Sequence, residues 1–161
     1  MYVPFAQLPD SARIWIYQAD RPLTDAEVAA VQPALRHFSD EWTSHGRALQ
    51  ASADILHHQF LVIGLDEAVA DASGCSIDSS VRFVRGVEEA LGVSLLEKSR
   101  LAFLVEGQVE LLDRRELKSA VAAGRLRSNT PYFDATVARK DALQNSFPTA
   151  ASQTWLARYF D

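Results

Sequence analysis

Two short runs along the chain are apolar on both alternating faces. In Arg13–Gln18 (R-I-W-I-Y-Q), Ile14 and Ile16 fall on one face and Trp15 and Tyr17 on the other. Phe60–Asp66 (F-L-V-I-G-L-D) carries apolar residues on both of its faces too. A period-two run that is apolar on both faces predicts a central strand covered from two sides. Gln50–His57 alternates only weakly and includes Ser52 and Asp54, which predicts an edge strand. His57-His58-Gln59 then reads as the turn of a hairpin.

Between these runs the period changes to that of a helix. Thr24-Asp25-Ala26-Glu27 is a capping box, and Val28, Val31, Leu35, Phe38 and Trp42 follow at steps of three and four. Pro33 lies inside this run and is expected to kink it, since proline has no amide donor. Gly46 is expected to end the helix in a left-handed conformation. After a loop from Glu67 to Gly74, a second helix is predicted to start around Cys75–Asp78, with Ile77, Val81, Val84 and Leu91 inward and Gly92 at its end. Leu101–Glu106 and Gln108–Leu112 read as a hairpin turning at Gly107. Asp113 with Glu116 caps a short helix through Ala123, stopped by Gly124. Tyr132–Val137 reads as a strand and Ser152–Phe160 as a last helix, with Trp155, Leu156 and Tyr159 packed down.

This order predicts one α+β domain over residues 1–161. Its core, about 13–106, is a ferredoxin-like β-α-β-β-α-β unit with both helices on one face of the sheet. Residues from about 107 to 161 form a C-terminal hairpin and helix extension. The ferredoxin-like strand order 4-1-3-2 makes the first and third strands central, and those are the two runs that are apolar on both faces. The second face of the sheet then needs cover, from the C-terminal segment or from a second subunit in a homodimer.

Composition narrows the class. With 48% hydrophobic and 23% charged residues in 161, the chain has material for a real core. No apolar run approaches the ~20 residues of a membrane helix, and the N-terminal ten residues lack the basic cluster of a signal peptide. One cysteine, Cys75, has no internal partner for a disulfide, so a reducing cytoplasm is the expected location. Residues 1–80 carry eleven acids against four bases, and residues 81–161 carry ten against twelve. The bases Arg114, Arg115, Lys118, Arg125 and Arg127 are interleaved with Glu110, Asp113 and Glu116, the pattern of a solvated face. Nucleic acid is therefore not an expected partner. Phe60-Leu61-Val62-Ile63-Gly64 also lacks the basic and aromatic signature of an RNA-recognition strand.

Two segments imitate an ATPase. Gly92–Ser99 (G-V-S-L-L-E-K-S) has Walker A spacing, but Glu97 stands where the second glycine must let backbone amides close on phosphate. The segment also leaves a helix and enters a strand, the reverse of a phosphate loop. Leu61–Glu67 looks like a Walker B strand but precedes the other segment, so nucleotide chemistry is not expected.

The stretches Arg13–Arg21 (R-I-W-I-Y-Q-A-D-R), Trp42–Gly46 (W-T-S-H-G), Leu65–Glu67 (L-D-E) and Ser73–Val81 (S-G-C-S-I-D-S-S-V) resemble a family of short bacterial proteins. Members are similar in length and often carry the automatic name "ABC transporter ATPase". The resemblance runs along the whole chain and is closest at Ser73–Val81. It implies no catalytic residues, and the nucleotide machinery in that name is at odds with the residues themselves.

The segment with chemical content is Gly74-Cys75-Ser76-Ile77-Asp78-Ser79-Ser80. A thiol at a helix start meets the positive end of the helix dipole, which favours the thiolate. The same small polar residues serve equally as caps for free helix amides. In the expected fold the first helix ends, the third strand ends and the second helix begins at one end of the sheet. That end gathers His45, Asp66, Glu67 and Cys75, while His57 and His58 lie at the other. His37 reads as a surface or boundary residue. His57 and His58 point to opposite sides of their hairpin and do not chelate, so no metal is expected, and no motif requires a cofactor.

Two functions follow as expectations. The first is a non-catalytic module binding a small molecule or a protein partner, with Asp66, Glu67, Ser76 and Asp78 as binding residues. The second is a small thiol-dependent enzyme with Cys75 as nucleophile, His45 as base and Asp66 or Glu67 as orienter.

Overall fold

The computed structural model describes residues 1–161. β1 (Arg13–Gln18) leads to α1 (Asp25–Glu41), followed by a small hairpin of β2 (Thr43–Ser44) and β3 (Arg47–Ala48). β4 (Ala51–Leu56) and β5 (Phe60–Leu65) form the next hairpin, and α2 (Gly74–Leu91) follows. The second half holds β6 (Arg100–Val105), β7 (Gln108–Asp113), α3 (Leu117–Ala122), β8 (Pro131–Phe133), α4 (Lys140–Ser146) and β9 (Thr149–Ala150), ending in short 3-10 turns. No helix is long and apolar enough to cross a membrane.

The strands form two main antiparallel sheets. β5 is the centre of the first, in the order β1-β5-β4, and pairs with β1 from Arg13↔Leu65 to Gln18↔Phe60. The expected 1-3-2 arrangement is present. The fourth strand departs from expectation: β6 does not join β1 but lies inside a second sheet, in the order β7-β6-β8-β9. In that sheet β6 is buried from both sides. Leu101 and Phe103 pack to one side and Ala102 and Leu104 to the other, so β6 needs cover on both faces. The first sheet covers one of these faces, and Leu117, Leu126 and Leu156 cover the other. β1 is consequently an edge strand, bridged only at its start by Arg139.

Burial follows the alternation. Leu61, Ile63 and Leu65 of β5 join Val31, Leu35, Val84 and Val87 of the two helices in one core. The helices therefore share a face of the sheet, as expected. Phe60, Val62 and Ile14 face the other way, against Ala102, Phe133, Leu143 and Phe147. A third cluster, around Phe103, Leu112, Leu117 and Leu156, covers the far side of the second sheet. The first sheet thus takes its second cover from the C-terminal segment.

Local signals account for most boundaries. The Thr24 hydroxyl accepts the Glu27 amide at 3.1 Å, and the Glu27 carboxylate accepts the Thr24 amide at 3.0 Å. α1 continues through Pro33 and ends at Glu41 rather than at Gly46, because Trp42 turns extended. Gly46 has φ +77°, yet it serves the β2–β3 turn together with His45 at φ +50°. The capping residue of α2 is Ser73, not Ser76 or Asp78, and Gly92 closes that helix with φ +65°. Trp155 is 37% exposed rather than packed down, although Leu156 beside it is buried. α4 arises from a stretch with no apolar periodicity. Its Lys140, 2% exposed, donates to the carbonyls of Leu8 at 2.6 Å and Ala6 at 3.2 Å, tying the N-terminal segment down.

Candidate functional site

The end of α1 and the start of α2 meet at Trp42. Its indole Nε1–H donates to the Ser76 carbonyl at 2.9 Å, and Ser76 Oγ donates to the Thr43 carbonyl at 2.8 Å. The Ser73 hydroxyl accepts the Ser76 amide at 3.1 Å and caps α2. These bonds lock the β2–β3 hairpin against the first turn of α2. Trp42 also meets Trp15 edge-on, with ring centroids 5.8 Å apart, and Phe38 at 5.2 Å. Phe38 in turn stacks on Phe83 of α2 at 4.3 Å and 11° between planes. Together these rings form a continuous aromatic wall.

Above this wall opens a cavity of about 650 Å³, within the size range of ligand sites. Ala34, Phe38, Trp42 and Phe83 belong to its apolar lining, and His37, Glu41, His45 and Cys75 to the rest of it. Cys75 is exposed and is the second residue of α2. No side-chain hydrogen bond or ion pair engages His37, Glu41, His45 or Cys75; His58, held to Asp25 at 2.7 Å, is the histidine whose side chain has one. The cleft therefore presents four polar side chains with unspent bonding capacity over an aromatic floor.

Of the residues expected from sequence, the structure brings Cys75, His45 and Ser76 to this cavity. Ser76 is 2% exposed and spends its hydroxyl on structure. Asp66 and Glu67 do not line the cavity. Asp66 accepts the Ala68 amide at 3.0 Å in a local turn, and Glu67 pairs with Arg13 at 3.5 Å. Neither orients His45. Asp78 is exposed and stands outside the lining. His45 sits at the tip of a hairpin rather than behind a helix, and this brings it over the start of α2.

Sequence reasoning missed His37, Glu41 and Phe83 as cavity residues. A signal existed: His37 and Glu41 are four apart on α1, on the same side as Ala34, and so share a helix face. Their meeting with α2 depends on how the two helices cross the sheet. His57 and His58 do diverge, His57 lying 4.9 Å from the Phe133 ring and His58 reaching Asp25. No three of His, Cys, Asp and Glu come together in a way that would hold a metal ion. Comparison with protein-family models, with curated proteins and with solved structures returns no match to this chain.

Proposed function

We propose that the chain is a non-catalytic binding domain whose cleft takes a small molecule with an apolar body and one polar end. The observation that carries this reading is the continuity of the cleft with a second, apolar groove. Between α1 and α2 runs a groove of about 380 Å³ whose lining includes Ala30, Val31, Gly86, Val87 and Ala90, and it shares Ala34 and Phe83 with the cleft. Gly86 has ordinary helical surroundings, and a Cβ placed there meets nothing within 4 Å. A ligand body lying against Phe83 and Ala34 would bring its polar end to His37, Glu41 and His45.

Titration of the full chain with 1-anilinonaphthalene-8-sulfonate, which joins apolar rings to one sulfonate, tests this reading. The expected result is saturable one-site binding that Gly86→Leu, filling the groove, weakens at least about tenfold (about 1.4 kcal/mol) without lowering the unfolding midpoint. Absence of saturable binding, or indifference to Gly86→Leu, would refute it.

A second reading, the thiol-dependent enzyme, draws on the exposure of Cys75 in the same cavity as His37 and His45. It differs from the first in the state of the thiol. Alkylation of Cys75 by iodoacetamide, followed against pH, separates the two. A midpoint near ~8.5, the ordinary thiol value, supports the binding domain; a midpoint below ~7 supports the enzyme.

A further inference from the structure

Because β6 lies in the second sheet, the outer edge of β1 lacks a full neighbour. The Ala19 amide donates to the Gln59 carbonyl at 2.7 Å and continues the β1–β5 ladder, so residues 13, 15, 17 and 19 spend their backbone groups on β5. Residues 14, 16 and 18 turn theirs outward, as antiparallel alternation requires. The Ile14 amide donates to the Ala138 carbonyl at 2.9 Å, and the Asp20 amide to the Ser94 carbonyl at 3.1 Å. Between these two ties, no backbone bond reaches the outward groups of Ile16 and Gln18. The ladder has a gap with both ends fixed.

The gap opens on space and on charge. A cavity of about 260 Å³ is lined by β1 and residues 135–138, and an adjoining one of about 110 Å³ shares Ile16, Lys98 and Ala135 with it. The two are lined by Arg13, Lys98, Arg100 and Arg114 against a single carboxylate, Glu97. Glu97 accepts the Ser99 amide at 2.7 Å, and Arg13 pairs with Glu67. Lys98, Arg100 and Arg114 take part in none of the ion pairs. Four cations thus face one carboxylate along these two cavities, beside the open backbone groups of Ile16 and Gln18.

We propose that the open edge of β1 binds an extended acidic peptide segment as an added strand. Main-chain bonds to Ile16 and Gln18 supply the pairing, as in other strand additions at exposed sheet edges. Ile14 to Gln18 spans roughly 13 Å at about 3.3 Å per residue, which suits a segment of about four or five residues. Side chains alternate along such a segment. Acidic groups at alternate positions reach Lys98, Arg100 and Arg114, and the intervening positions face away.

Panning the full chain against a phage-displayed random heptapeptide library supplies the probe. The enriched peptide is then synthesised and titrated by fluorescence anisotropy at low salt. Enriched sequences are expected to carry Asp or Glu at alternating positions. Binding is expected to weaken at least about tenfold in the pair Lys98→Glu/Arg100→Glu, and to disappear when alternate peptide amides are N-methylated. Ile16→Pro removes one outward N–H and is also expected to weaken binding, since an edge strand tolerates proline where its N–H faces out. The charge-reversal pair keeps the test decisive if the proline variant does not fold. No enrichment, enrichment without acidic residues, or affinity indifferent to N-methylation would overturn the proposal. So would displacement by free glutarate at equal affinity, which would reduce the site to a pocket for small anions.

Discussion

Beneath the first sheet, Phe60, Phe133 and Phe147 interlock with ring centroids 4.7 to 5.1 Å apart, whereas above it α1 and α2 leave an open groove. Two glycines measure the contrast. A Cβ on Gly64, in β5, comes within 2.6 Å of Leu8 Cδ1, but one on Gly86, in α2, meets nothing within 4 Å. Sheet-on-sheet packing closes the lower layer because aromatic and branched side chains from both sides interdigitate. Helices bearing Ala30, Ala34, Gly86 and Ala90 toward one another cannot fill the space between them. Both layers bury a core against the first sheet, but only the upper one leaves a groove, between the outer faces of its two helices.

The strongest way to break this comparison is to empty the lower layer. Phe60 is fully buried, so Phe60→Ala is expected to cost about 3–5 kcal/mol, read by urea unfolding. A loss under about 1 kcal/mol would mean that the three-ring cluster does not anchor the sheets. Gly64→Ala probes the same layer by overfilling it. Leu8, 3% exposed, has little freedom to withdraw, and a loss of about 1–3 kcal/mol is expected.

The opposite sign is expected in the upper layer. Gly86→Ala adds a methyl to open space and relieves the helix of its glycine, so stability should rise by up to about 1 kcal/mol. A measured loss would show that the groove is not empty in solution.

The smallest effect concerns the rim of the upper layer. The Arg21 guanidinium, with two contacts of 2.8 Å, and the Thr24 amide hold the Glu27 carboxyl at about 2, down from its ordinary 4.5. The folded state favours the ionised form more than the unfolded chain does. Its contribution is therefore present above about pH 4.5 and is lost as pH falls toward 2. Arg21→Ala is expected to move the carboxyl midpoint, followed by NMR, back toward 4.5.

Part of the candidate site was legible in advance. Cys75 and His45 were expected at one end of the sheet and both line the cleft, whereas Phe38 and Trp42, read from the pattern as core positions, line it as well. Asp66 and Glu67 were drawn in because they follow β5, yet they turn to Ala68 and Arg13 instead. Adjacency of element ends does not specify where short side chains point. The reach of His45 into the cleft comes from the β2–β3 turn, which looked like a helix stop because a glycine with positive φ serves both.

The sequence alone determined what local forces determine. Two-sided apolarity marked β1 and β5, the capping box opened α1, and Gly92 and Gly107 took the left-handed conformations that stop a helix and turn a hairpin. Pairing was decided elsewhere. Backbone hydrogen bonds carry no residue identity, so nothing within residues 100–105 names β8 rather than β1 as neighbour. That choice came from burying both faces of β6 at once, which required β7, β8 and the helix layer beyond them. It left β1 with an open edge, and the crossing of α1 over α2 left the cleft. Both candidate binding sites are thus products of tertiary packing, built where a covering element did not arrive.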